Sequence, residues 1–92
     1  MAMARHPLSV TTPGRGLTEI TREVLSFVAG SGLREGLLTV FCRHTSASLL
    51  IQENADPTVQ RDLELFFSRL VRDGDPAFAH DLEGPDDMPA HI

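Results

Sequence analysis

The stretch from Asp56 to Arg72 most constrains what this chain can fold into. Asp56 is a favoured N-cap residue, and Pro57 suits the first helical position, where its missing N–H costs no bond. Val59, Leu63, Phe66, Phe67, Leu70 and Val71 then recur at i, i+4, i+7, i+8, i+11 and i+12. Arg61, Asp62, Glu64, Ser68, Arg69 and Arg72 fill the opposite face. The pattern predicts an amphipathic helix over 57–72, whose apolar stripe needs a second layer to bury it. Asp73-Gly74-Asp75-Pro76 stops the helix and opens a loop.

A second, shorter helix is predicted after Thr18, its expected cap. Ile20, Val24, Phe27 and Val28 line one face, and Gly30-Ser31-Gly32 ends it. Three short runs read as strands: residues 5–12, the continuous apolar run Leu37 to Cys42, and Leu49-Leu50-Ile51. Cys42 is expected to pack as a small apolar residue within its strand. Gly84-Pro85 looks like a further helix start, with Asp86 and Asp87 near its positive end and Met88 and Ile92 on its apolar face. The expected architecture is α/β (α+β): a single domain over 1–92, with mainly antiparallel strands packed by two main helices. Two or three strands make a marginal sheet. The last helix stops within two turns and without a cap, so the domain is expected to be C-terminally incomplete.

Charge and composition exclude several classes. The net charge is −5, and all eight cations are Arg, scattered along the chain, which makes a nucleic-acid or anionic-membrane partner a poor expectation. Five Phe with no Trp or Tyr give little base-stacking surface. A lone cysteine excludes an internal disulfide and a cysteine zinc cage. No run approaches the ~18 apolar residues of a membrane span, and the N-terminus lacks the apolar centre of a signal peptide. A cytoplasmic location is the default.

The residues that can carry chemistry lie in two polar stretches, His44 to Asp56 and His80 to His91. His44 stands just past the end of an apolar run, after Arg43. His80 opens an acidic segment, and His91 lies four residues after Asp87, so those two share a helix face. Imidazole and carboxylate are ordinary ligands for zinc and other divalent ions, but this spacing matches neither a zinc finger nor HExxH. A histidine near a strand end is more often a hydrogen-bonding scaffold residue than a ligand. His6, in the N-terminal arm, is given no part in a site. Asp56 has a sufficient structural job as a cap, whereas Glu53 and Asn54 sit where loops carry functional groups. Asp81, Glu83, Asp86 and Asp87 place four negative charges within seven residues. They read either as a solvated acidic loop or as a site whose repulsion a cation offsets. Thr45, Ser46 and Ser48 offer hydroxyls beside His44, in a turn that can bind an anion or simply hold itself together. No P-loop and no GxSxG elbow is present.

Taken in order, His44-Thr45-Ser46-Ala47-Ser48-Leu49, Glu53-Asn54 with Asp56-Pro57, Asp62, His80 with Glu83-Gly84, and Asp86 to Ile92 resemble the YjbQ-type family. Ile20-Thr21 and the Ser31-Gly32 helix end fit as well, so the resemblance covers nearly the whole chain. The family is associated with a secondary thiamine-phosphate synthase activity. That activity joins a pyrimidine diphosphate to a thiazole phosphate with loss of pyrophosphate. The resemblance implies a homotrimer acting on a small phosphorylated molecule, and further strands after Ile92. It implies catalytic roles for His44, Glu53, His80 and His91, and phosphate contacts from Thr45, Ser46 and Ser48. A divalent ion, Mg or Zn, would be held by His44, His80, Asp87 and His91. The alternative is a metal- or phosphate-binding homotrimer with no dedicated reaction. A protein-interaction module, the third class, would show an exposed apolar patch.

Overall fold

The computed structural model describes residues 2–92. The chain divides into two units, one ending at Val40 and the other running from Phe41 to Ile92. Three helices form: α1 over Thr21–Gly30, α2 over Pro57–Leu70 and α3 over Asp87–Ala90. Among the described residues, none of these is long and apolar enough to cross a membrane.

In the first unit, Ile20, Val24, Phe27 and Val28 are half-buried along one side of α1, the face the periodicity predicts. Part of the cover comes from His6, whose ring stacks on Phe27 with centroids 5.7 Å apart and planes 21° from parallel. Thr18 is not the cap: Ile20 takes that position, with no side-chain hydrogen bond to the first turn. The C-terminus is well closed. The Ser31 N–H donates to the Phe27 and Val28 carbonyls, the Ser31 hydroxyl donates to Val28 at 2.7 Å, and Gly32 turns the chain with φ +76°.

In the second unit, α2 starts as its sequence dictates. The Asp56 carboxylate accepts the Thr58 N–H at 2.9 Å and the Thr58 hydroxyl at 2.8 Å, and Pro57 fills the first turn. The helix ends at Leu70, two residues earlier than the apolar pattern suggests. Val71 is already extended, at φ −132° and ψ 105°, although its N–H still reaches the Phe67 carbonyl. Within the apolar stripe only Leu63 and Val71 are half-buried; the rings of Phe66 and Phe67 meet edge to face but remain exposed.

The expected sheet does not form. Among the described residues there is no strand, and residues 5–12, Leu37 to Cys42 and Leu49 to Ile51 are irregular. The α/β expectation with mainly antiparallel strands is therefore overturned, and the described secondary structure is helical. A strand differs from an extended run only by the partner that takes its N–H and C=O groups, and none of the three runs pairs with another. Their side chains are open to solvent as well: Leu37 is 94%, Phe41 80% and Ile51 100% exposed. No described residue is buried, so no apolar core backs either α2 or these runs. Cys42 is half-buried in a loop rather than packed in a sheet, and its thiol donates to the Ala47 carbonyl.

Candidate functional site

The second polar stretch is shaped by turns. Beyond α2, Gly74 adopts φ +70°, and its N–H donates to the Pro85 carbonyl at 2.8 Å, clasping the two ends of the loop together. Inside the clasp, the Asp75 side chain accepts the Ala77 N–H at 2.9 Å, and its carbonyl accepts the Phe78 N–H at 3.0 Å. Gly84, at φ +117°, reverses the chain. The helix begins at Asp87, not directly after Gly84-Pro85, and runs for one turn only. Ile92 falls outside it and is 70% exposed, so it does not share an apolar face with Met88.

This path carries His80 back to α3. His80 Nε2 contacts Asp87 Oδ2. His91 Nε2 lies 3.5 Å from the same oxygen, one helical turn along. The two imidazoles meet edge to face, with centroids 5.3 Å apart. One donor atom from each of His80, Asp87 and His91 lies within 4.8 Å of the others. The Asp87 side chain is 25% exposed, His80 48% and His91 56%, so the group is open on one side. Two imidazole nitrogens and one carboxylate oxygen are ordinary ligands for a transition-type divalent ion. Around zinc, with bonds of about 2.1 Å, tetrahedral ligand atoms sit roughly 3.4 Å apart, so modest side-chain rotation would close this group on an ion. Without an ion, the carboxylate orients the His80 ring by hydrogen bonding and has the His91 ring close beside it.

The remaining predicted residues lie elsewhere in the unit. The His44 Nδ1 accepts the Ser46 N–H at 3.0 Å, so a neutral ring carries its proton on Nε2. That bond and the Cys42–Ala47 contact close the 42–47 turn, with Thr45 and Ser46 exposed on it and Ser48 exposed just beyond it. His44 does not join the His80–Asp87–His91 group. Glu53 lines an open groove with Gln52, Ala55, Asp56 and Val59. Beside it, hydrogen bonds from the Thr58 N–H and then the Thr58 hydroxyl hold the Asp56 carboxyl below its ordinary value of 3.8. Sequence reading missed the Gly74–Pro85 clasp. Its signal was present in the Asp-Gly and Gly-Pro pairs that flank the loop.

Short helices and a turn-built loop that presents two imidazoles to one carboxylate define a small chain with a candidate cation-binding group. Residues 6–92 match the family described as UPF0047 protein YjbQ-like, and the chain belongs to that family. It is 51% identical over 85 residues to UPF0047 protein sll1880 of Synechocystis, covering 92% of this chain and 58% of that protein. It is 45% identical over 86 residues to UPF0047 protein YjbQ of Escherichia coli, covering 92% of this chain and 62% of that protein. The YjbQ protein of Salmonella typhimurium is 43% identical over 89 residues, or 96% of this chain and 64% of its own length. The chain thus spans about three-fifths of the length of these relatives. No solved structure matches it.

Proposed function

We infer that His80, Asp87 and His91 hold a divalent metal ion, and that the complete protein uses it in a secondary thiamine-phosphate synthase reaction. The convergence of both imidazoles on a single Asp87 oxygen carries the metal reading. The reaction itself is inferred from the family resemblance. Both substrates are phosphorylated, and the segment between Asp81 and Asp87 is acidic, so a cation is needed for phosphate to approach. When bound, the ion would neutralise charge on the departing pyrophosphate. The chain's own groups would do the rest. Thr45, Ser46 and Ser48 would donate hydroxyl hydrogen bonds to phosphate oxygens. His44, with its proton on Nε2, would donate a hydrogen bond from that N–H to the leaving oxygen, and Glu53 would hold water at the site. The active form is taken to be a homotrimer in a cytoplasmic setting, where Cys42 stays reduced.

The decisive experiment supplies the full-length protein to a thiamine-requiring strain that lacks its main synthase. Growth is expected, and its loss with His80→Ala or His91→Ala. Soluble, well-expressed protein with no growth would overturn the synthase reading.

The half-exposed state of His80 and His91 favours a second reading: the ion fixes a trimer and there is no dedicated reaction. Chelation that removes metal and trimer together, from a protein without measurable turnover, would decide for it.

A further inference from the structure

We propose that the cation site is also a folding device: a zinc-class ion supplies the free energy that holds the 74–92 segment in place. The proposal rests on the metal reading above and goes beyond it. Little else in the segment can do this job. α3 has four residues, well short of the ~12–15 at which an isolated helix becomes even marginal in water. Its N-cap residue, Asp86, makes no side-chain bond to the first turn. α3 makes no contact with α2, and none of its residues is buried. The Gly84 reversal before it rests on weak ties, since the Gly84 N–H to Asp81 and the Asp87 N–H to Gly84 bonds are 3.4 and 3.5 Å long. The Gly74–Pro85 bond is the one short backbone tie across the loop. Yet the three donor atoms meet from both sides of the Gly84 reversal. His80 stands before it, Asp87 and His91 after it.

An ion bound there crosslinks loop and helix. In the unfolded chain the same three ligands are not gathered, so binding energy becomes folding energy. The donor set selects the ion. Imidazole suits zinc and its neighbours, whereas Mg²⁺ demands oxygen ligands in near-octahedral order, and this group offers one carboxylate.

The test is backbone hydrogen exchange of the whole chain, read over residues 84–92, alongside calorimetric titration with Zn²⁺. At free Zn²⁺ about 100 times its dissociation constant, exchange in this segment is expected to slow by about 100-fold. Residues 21–30 should not change, Mg²⁺ should have no effect, and a chelator should reverse the slowing. His80→Ala should lose both the heat of binding and the protection, while His6→Ala keeps both. Zn²⁺ that binds without slowing exchange overturns the folding role and leaves the metal reading standing. Absence of Zn²⁺ binding overturns both. Equal protection by Mg²⁺ overturns the assignment of ion class.

Discussion

At the scale of single residues, Asp56 and Asp87 show how one side-chain type serves two ends. Asp56 spends its carboxylate on Thr58, and those bonds favour the charged form. Its folded value lies below the unfolded one. The stabilisation is therefore complete above the ordinary 3.8 and is lost as pH falls through the lower folded value. Helicity measured by circular dichroism should drop across that acid range, and Asp56→Ala should show reduced helicity already at neutral pH. Unchanged helicity in the variant would remove Asp56 as the cap. Asp87 instead spends one oxygen on two imidazoles. Asp87→Asn keeps the shape and removes the charge, so Zn²⁺ affinity should fall by about tenfold or more in titration. An unaltered affinity would place the ion elsewhere.

At the scale of elements, the contrast lies between helices that close their own hydrogen bonds and runs that cannot. The cap at Asp56, the proline at position 57 and the apolar spacing after it were legible, because each acts within a turn or two. The same holds for the face of α1. The runs at 37–42 and 49–51 were legible as apolar and extended, but not as unpaired, because pairing depends on residues distant in sequence. Missed helix limits have local causes that propensity alone does not weigh: Val71 turns extended, and Gly84 turns the chain before Asp87. The clasp yields an element-level prediction. Gly74 sits at φ +70°, where a Cβ would have room beside Pro85 at 3.5 Å but the backbone would be strained. Gly74→Ala should cost about 1–2 kcal/mol of local stability. It should also speed amide exchange over 84–92, whereas unaffected exchange there would deny the clasp its role.

At the scale of the whole molecule, the governing fact is the amount of apolar side chain left in water. Fully burying one Leu or Phe contributes about 1.5–3 kcal/mol, and Leu37, Phe41, Leu50, Phe66, Leu70, Leu82 and others remain exposed. Surfaces of this kind associate. Sedimentation should therefore show concentration-dependent assembly, and Ile51→Ser with Leu50→Ser should weaken it. A chain that stays monomeric at every accessible concentration would count against the proposed trimer.

By itself, the sequence determined membership of the UPF0047 family, the two longer helices with their apolar faces, and which residues carry donor atoms. Those properties reside in side-chain identity and in spacings of a few residues. Only the tertiary structure decided that His80 reaches Asp87 and His91 while His44 turns to Ser46 instead. It likewise decided that the apolar runs find no ladder. The reason is common to both: a meeting across an irregular path is set by every intervening dihedral, and no short-range pattern encodes that sum.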